Sequence, residues 1–239
     1  SFIVDPIQGG AGTSFNMNAN EVIANMAEQN LGGNLGEYKL IHPNDHVNKG
    51  QSTNDVIPTS GKIALIRYFE KLIEENARLI EAIENKAEDF KEVYKMGRTQ
   101  LQDAIPISLG QEFMAYARVL ERDQKRFKKA VEALSYVNLG GTAIGTGLNA
   151  DPIYIKEVVV SLSEVTGLNL KQNDDLIDGT QNLDSISFAS SALKTYAISL
   201  SKISNDLRLM SSGPQVGIAD ISLPAVQAGS SIMPGKVNP

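Results

Sequence analysis

Four polar segments of this chain are rich in small hydroxyls, amides and glycines, which are groups that bind carboxylates. They cover residues 9–14, 42–55, 97–106 and 229–239, and each lies at the end of a helical pattern. Capping alone can explain one such segment, because Ser, Thr, Asn and Asp satisfy the free N–H groups at helix starts. Four segments of the same chemistry favour an anion-binding site, to which Lys236 would add one full positive charge.

Two other kinds of site are less well supported. His42 and His46 are the only histidines, and a metal site would need more ligands, so structural hydrogen bonding is the favoured role. Residues 140–147 read GGTAIGTG, but no β-rich strand precedes them, no Lys-Ser/Thr follows, and the spacing differs from the dinucleotide-binding pattern. We therefore expect no metal and no cofactor.

Composition and charge narrow the class of protein further. The chain has 239 residues, of which 42% are hydrophobic, so a core can form. Its net charge is −6, and no basic stripe carries interleaved aromatic residues, so nucleic acid is not an expected partner. No apolar run is long enough to span a membrane, the N-terminus lacks a signal pattern, and cysteine is absent. We expect a cytoplasmic protein with no membrane partner.

Long helices must position the polar segments. Apolar residues recur every seven positions in three regions, in rows that begin at Leu65, Phe113 and Ile186. Heptad repeats sustained over this length predict long helices that pack nearly parallel through these rows, as in a bundle.

Shorter helices are predicted between the long ones. One covers residues 16–31 and ends at Gly32 and Gly33, and another covers residues 153–165 and ends at Gly167. Pro58 is expected to lie in the first turn of a helix, where its missing N–H costs nothing. Strand signals are sparse.

The last polar segment, GSSIMPGKVNP, resembles the signature loop of the fumarase/aspartase superfamily, whose members cleave a C–N or C–O bond and release fumarate. HPNDHVN and QSTND, within residues 42–55, and GTSFNMNANEVIAN, residues 12–25, resemble other blocks of that superfamily. The resemblance covers nearly the whole chain. It implies a mostly α-helical fold, namely a long-helix bundle with a small N-terminal portion of helix and loop.

The resemblance also implies that the chain is a fragment. Superfamily members carry more chain before Ser1 and after Pro239. We expect residues 1–57 to be the remainder of an N-terminal domain. Residues 58–239 are expected to be a central helix-bundle domain that is incomplete at its C-terminal end.

Within the superfamily, the resemblance is to enzymes that eliminate ammonia from L-aspartate to give fumarate. Gln100 stands where fumarases typically carry His, and residues 9–14 and 176–184 are also closer to the aspartate-specific members. An ammonium group leaves as neutral ammonia and needs no proton donor, whereas hydroxide does, so an amide suffices at this position. Fumarase is the alternative enzyme, and a non-catalytic helical piece that only assembles with itself is the alternative of another class.

The difficult step of such a reaction is removal of a proton from the carbon beside a carboxylate. The product is an aci-carboxylate with two negative charges, which preorganised donors must stabilise. The resemblance implies that Ser230 is the base and that Lys236 acts with it, because a serine is a poor base unless its alkoxide is stabilised. The remaining residues are expected to bind the substrate: Thr13, Ser52, Thr53 and Ser231 the β-carboxylate, Lys236 and Asn238 the α-carboxylate, and Asn54, Thr99 and Gln100 the amino group.

In this superfamily the four polar segments of one site come from different subunits. The resemblance therefore implies a homotetramer whose sites are shared between subunits. One residue departs from the pattern: Gln215 stands where an arginine is expected, and nothing in the sequence explains it.

Overall fold

Helices account for most of the chain in a computed structural model that describes residues 2–233 and 235–238. The α-helices are α1 (Thr13–Asn30), α2 (Thr53–Asp89), α3 (Leu109–Leu134), α4 (Pro152–Thr166), α5 (Leu176–Gln181) and α6 (Asp184–Met210), and a π-helical turn covers Pro43–Val47. Short strands pair as β1 (Tyr94–Thr99) with β2 (Gln102–Ser108), β3 (Tyr136–Val137) with β4 (Lys171–Gln172), and β5 (Gln227–Ala228) with β6 (Val237–Asn238). The expected mostly α-helical class is confirmed.

The three long helices coincide with the three heptad rows. Helix α2 has 37 residues, α3 has 26 and α6 has 27. Most residues of the rows are buried or half-buried, but Leu193 is 40% exposed, so its expected place in the core is wrong. Its side chain faces solvent on α6 in the single chain. Among the described residues, no helix is both long enough and apolar enough to cross a membrane.

The chain divides into two compact units. The first contains Ser1–Lys71 and Lys129–Ala189, and the second contains Leu72–Lys128 and Ser190–Pro239. Buried residues of the first unit include Ile66, Phe69, Leu134, Val137 and Val159. In the second unit, Tyr116, Leu120 and Ile203 form a buried cluster, against which apolar residues of α2, α3 and α6 pack. The expected domain boundary after residue 57 stays a prediction.

The two shorter helices end where the glycines predict. Helix α1 is followed by Gly32, whose φ is +85°, and the N–H of Gly33 donates to the carbonyl of Glu28. Helix α4 begins after Asp151, whose side chain accepts from the N–H of Ile153, and it ends at Gly167, whose φ is +67°. Glycine suits both ends because it adopts positive φ without a steric penalty.

The expectation for Pro58 is wrong. Helix α2 begins at Thr53, so Pro58 lies inside the helix and past its first turn. Proline has no N–H, so the carbonyl of Asn54, four residues earlier, loses its partner within the helix. The side-chain amide of Asn138 replaces that partner, with its Nδ2 donating to the Asn54 oxygen at 3.1 Å. A side chain from a distant part of the sequence thus makes a proline tolerable here.

Residues 97–106, one of the four polar segments, form most of a β-hairpin, although strand signals in the sequence are sparse. Strands β1 and β2 are antiparallel, and Thr99 pairs with Gln102 across a two-residue turn. The turn residues Gln100 and Leu101 have φ values of +52° and +62°, as the tight turns that match the twist of a hairpin require. Neither residue is Gly, Asn or Asp, so the usual sequence signal for such a turn is missing.

Candidate active site

The starts of α1 and α2 lie against each other in the first unit. Gly12 precedes α1 with φ +71°, and a Cβ atom added there would lie 2.8 Å from Cγ2 of Ile57. Only glycine permits this approach. No side chain caps the first turn of α1, where Thr13 is exposed. The free N–H groups of this turn, together with the helix dipole, favour a negatively charged ligand.

Asn16 connects α1 to the hydroxyl group of Thr53. Its Nδ2 donates to Thr53 Oγ1 and to Asn48 Oδ1, each at 3.1 Å, and the residue is only 4% exposed. Asn20 Nδ2 donates to the same Asn48 oxygen at 2.9 Å. Because Thr53 accepts a hydrogen bond from an amide, its own proton remains available for an acceptor such as a carboxylate.

Ser52 and Asp55 form a capping arrangement at the start of α2. Ser52 Oγ accepts from the N–H of Asn54 at 3.2 Å, and Asp55 Oδ1 accepts from the N–H of Ser52 at 2.9 Å. This reciprocal pattern satisfies two N–H groups that the helix leaves free. Ser52 therefore does cap the helix, but accepting one hydrogen bond leaves its proton free to bind an anion.

The segment 140–149 lies beside these residues. Asn54 Nδ2 donates to the carbonyl of Ala143 at 2.7 Å, and Asp55 Oδ2 accepts from the N–H groups of Gly140 and Thr142 at 3.2 and 2.9 Å. A cavity of about 420 Å³ opens between the two segments, and Ser52 lines one side of it. The opposite side is formed by residues of the second segment, namely Thr142, Ala143, Ile144, Thr146, Leu148 and Asn149.

In the second unit, the hairpin places Thr99 and Gln100 in exposed positions at its turn. Ion pairs hold the base of that turn. Arg98 pairs with Asp220, and Lys95 lies 2.7 Å from Glu112 and 3.3 Å from Asp220. Burial alone would raise the pKa of Asp220, but hydrogen bonds from Arg98 and Lys95 and their charges outweigh it and hold the pKa below its usual value.

The signature loop is closed by a small antiparallel sheet. Strands β5 and β6 pair Gln227 with Asn238, and the N–H of Gly229 donates to the carbonyl of Lys236 at 2.9 Å. The two ends of the signature loop thus meet at Gly229 and Lys236, and half-buried Ser230 lies next to the first of these ends. Ser230 Oγ accepts from the N–H of Ile232 at 3.3 Å. Pro234 and Pro239 of this segment, like Ser1, lie outside the described residues.

A second cavity adjoins the signature loop. It has a volume of about 760 Å³ and is lined by Lys236 and Asn238, together with Arg208, Ser211 and Ser212. The lining thus combines two cationic residues, hydroxyl groups and an amide with one acid, Asp220, whose carboxylate pairs with Arg98. Cationic and hydroxyl groups are of the kind that binds a carboxylate. Gln215 is exposed nearby in sequence, and nothing in the structure explains why it replaces an arginine.

The ten predicted site residues fall into two sets. Thr13, Ser52, Thr53 and Asn54 belong to the first unit, where hydrogen bonds join the starts of α1 and α2. The other six belong to the second unit: Thr99, Gln100, Ser230, Ser231, Lys236 and Asn238. That the two sets act on one substrate stays a prediction.

The two histidines hydrogen-bond within their own segment. His42 Nδ1 accepts from the N–H groups of Asn44 and Asp45, each at 3.3 Å, which caps the π-helical turn. His46 Nδ1 accepts from the N–H of His42 at 2.8 Å. Within residues 2–233 and 235–238, no group of three potential metal ligands occurs.

Four residues that hold the site together were not predicted from the sequence: Asn16, Asp55, Asn138 and Asp220. The link between Asp55 and Ser52 has a sequence signal, because Ser followed three residues later by an acid is a capping pattern. The other contacts join residues far apart in the chain, such as Arg98 and Asp220, and have no local signal.

Comparison with known proteins decides the family. The family model described as "Lyase" matches residues 1–239. The chain belongs to this lyase family. The superfamily resemblance predicted from the signature loop is thereby confirmed.

Individual relatives of this lyase chain agree with that assignment. It is 58% identical, over its whole length, to an aspartate ammonia-lyase of Bacillus subtilis (strain 168), of which it covers 50%. A structure described as fumarate lyase:delta crystallin from Brucella melitensis bound to cobalt matches 99% of this chain and 52% of that one, with a TM-score of 0.95 and 52% identity. A class II fumarase from Schistosoma mansoni matches 97% of this chain and 52% of that one, with a TM-score of 0.92 and 36% identity. The chain therefore spans about half the length of the relatives that it matches.

Proposed function

We propose that the protein is an aspartate ammonia-lyase, which eliminates ammonia from L-aspartate to give fumarate. The observation that carries this proposal is the 58% identity, along the whole chain, to an aspartate ammonia-lyase. The class II fumarase is similar in fold but only 36% identical. Gln100 supports the same choice, because an amide can hold an amine but cannot protonate a departing hydroxide.

In this proposal, the first unit binds the substrate's β-carboxylate and amino group. Thr13, Ser52 and Thr53 donate to the carboxylate, and the uncapped start of α1 adds N–H groups and a favourable dipole. The hydrogen bond from Asn16 supports this role for Thr53, because it leaves the hydroxyl proton free to donate. Asn54 binds the amino group together with Thr99 and Gln100.

The signature loop performs the proton transfer. Ser230 removes a proton from the β-carbon, and the electron pair moves into the β-carboxylate to give the aci-carboxylate intermediate. The C–N bond then breaks, ammonia leaves and fumarate forms. Lys236 stabilises the serine alkoxide and, with Asn238, binds the α-carboxylate, while Ser231 joins the donors to the β-carboxylate. The closed base of the loop supports this assignment, because it keeps Ser230 and Lys236 on one short loop.

The working form in this proposal is a homotetramer in which different subunits contribute the polar segments of each site. It acts on a small dicarboxylate and requires no cofactor. Its cytoplasmic location stays a prediction.

The experiment that tests the function compares two reactions of the purified protein, with the complete chain that its gene encodes. We expect ammonia and fumarate to form from L-aspartate in equal amounts, and no malate to form from fumarate. Malate formation without ammonia release would identify a fumarase. Absence of both reactions in a folded protein would support the non-catalytic alternative.

A further inference from the structure

We propose that Asp55 is a positioning residue, whose buried carboxylate fixes the pocket for the substrate's amino group by tying segment 140–149 to the start of α2. This inference rests on the proposed function and deepens it. Segment 140–149 contains the glycine-rich motif that no part of the proposed chemistry uses.

Asp55 joins two segments that are distant in sequence. Oδ1 accepts from the N–H of Ser52, while Oδ2 accepts from the N–H groups of Gly140 and Thr142, 85 and 87 residues further along the chain. Its side chain is fully buried, so water cannot replace these partners. One carboxylate therefore sets the position of Ser52 relative to the opposite side of the 420 Å³ cavity.

The tied segment in turn orients Asn54. The amide nitrogen of Asn54 donates to the carbonyl of Ala143 at 2.7 Å, which directs Oδ1 away from that carbonyl. No described residue donates to Oδ1. An oxygen held in this way accepts from an ammonium group, as the substrate's amino group requires.

The main chain of Asn54 is fixed as well. Pro58 frees the Asn54 carbonyl, and buried Asn138 donates to it. Gly145 lets the segment pack directly against α5, because any larger residue there would place its Cβ atom 2.4 Å from the Cα of Ile177. Asn54 is therefore held at its backbone by Asn138 and at its side chain by a segment whose position depends on Asp55.

Burial is the largest influence on Asp55 and raises its pKa, against the lowering effect of the N–H groups that it binds. The pKa of Tyr154 is raised to about 12, mainly by burial and secondly by the negative charge of Asp55. Burial of a carboxylate is unfavourable by itself, but Asp55 accepts hydrogen bonds from the N–H groups of Ser52, Gly140 and Thr142, which offset that cost.

Glu28 provides a matched control. It is also fully buried, and its carboxylate accepts from the N–H groups of Lys39, Leu40 and Ile41. It differs in that none of these partners binds the substrate in the proposed site. Glu28→Gln should therefore disturb folding as Asp55→Asn does, without moving the amino-group pocket.

The test measures kcat, KM and thermal denaturation for the wild type, Asp55→Asn and Glu28→Gln, below the melting temperature of each. We expect kcat/KM for aspartate to fall roughly tenfold to a hundredfold in Asp55→Asn, since a shift of about 1 Å has such effects. Glu28→Gln should keep wild-type kinetics. In an Asn54→Ala background, the factor by which Asp55→Asn lowers kcat/KM should be about fivefold smaller than in the wild type, because the residue through which Asp55 acts is gone.

Each outcome decides between the claims. Wild-type kinetics in Asp55→Asn, equal losses in both variants, or full additivity with Asn54→Ala would overturn the inference and leave the proposed function standing. A wild type that does not convert aspartate would overturn the proposed function, and this inference with it. If Asp55→Asn does not fold, Asp55→Glu is compared with Glu28→Asp under the same criteria. These substitutions keep the carboxylate but change its position by one methylene group.

Discussion

At the scale of single residues, buried carboxylates join segments that are separate in the sequence. Glu28 and Asp55 each bind several backbone N–H groups. The N–H of Ile41 is the largest influence on Glu28, and with its neighbours it lowers the pKa of Glu28 despite burial. Asp220 instead binds two cationic side chains, and its pKa is also lowered.

The ion pairs of Asp220 predict a pH dependence of stability. A carboxylate whose folded pKa is lowered stabilises the fold above its unfolded pKa, and the contribution is lost as the pH falls through the folded value. We expect Asp220→Asn to lower the free energy of unfolding by about 3 kcal/mol at neutral pH, because Arg98 and Lys95 lose a largely buried partner. The difference from wild type should shrink below about pH 4. Urea denaturation at several pH values measures this.

Asp103 is the control for that prediction. It lies 3.6 Å from Arg98, but its side chain is 75% exposed. Asp103→Asn should change the free energy of unfolding by less than about 1 kcal/mol, as is usual for surface pairs. Equal effects of the two substitutions, or a difference that does not depend on pH, would contradict the assigned role of Asp220.

At the scale of elements, Pro58 and Asn138 should depend on each other. Asn138→Ala leaves the Asn54 carbonyl without a partner and should cost about 1–3 kcal/mol of stability. In a Pro58→Ala background, residue 58 regains an N–H that can donate to that carbonyl, so the cost should be smaller by about 1 kcal/mol. Chemical denaturation of the wild type, the two single variants and the double variant gives the coupling free energy between the two substitutions.

The hydrogen bond between Asn138 and Thr180 supplies the control for this cycle. Thr180→Val removes an acceptor of Asn138 without touching the Asn54 carbonyl. Its cost should be the same with Pro58 or with alanine at that position. If the Asn138 and Pro58 substitutions are simply additive, the carbonyl has another partner.

The elements also show what a sequence can predict. Helices α2, α3 and α6 follow from heptad rows, because burial of one face imposes a period that survives in the sequence. The hairpin did not follow, since Gln100 and Leu101 adopt positive φ without the residues that usually favour it. The hydroxyl residues and the lysine of the candidate site could be predicted from sequence motifs. Asp55 and Asn138 could not, because they bind partners more than 80 residues away in the chain. Contacts of that kind are fixed by packing and leave no local pattern.

At the scale of the whole molecule, the proposed homotetramer should bury apolar residues that one chain exposes. Ile198 on α6 is 62% exposed and lines a groove in the second unit with Tyr116 and Val119, which Glu112 and Lys202 also line. We expect Ile198→Lys to weaken assembly, because a charge would enter an apolar interface. Light scattering should give the mass of four chains for the wild type and a smaller mass for the variant.

Val165 is the matched control for assembly. It is 85% exposed on α4, which is not one of the long helices. Val165→Lys should leave the mass unchanged. A monomeric wild type would refute the tetramer, and a tetrameric Ile198→Lys would remove this groove from the interface.

Ser230 in the signature loop is the proposed base of an aspartate ammonia-lyase, and the decisive measurement is the rate of ammonia release by Ser230→Ala. The Ser230→Ala variant of the complete protein is compared with the wild type and with Ser60→Ala, whose substituted serine is exposed and donates to the carbonyl of Ile57 within α2. We predict that Ser230→Ala lowers kcat by about a hundredfold to ten-thousandfold, the usual contribution of a positioned base, while melting temperature and assembly match wild type. Ser60→Ala should keep full activity. If a folded, assembled Ser230→Ala protein keeps most of the activity, Ser230 is not the base.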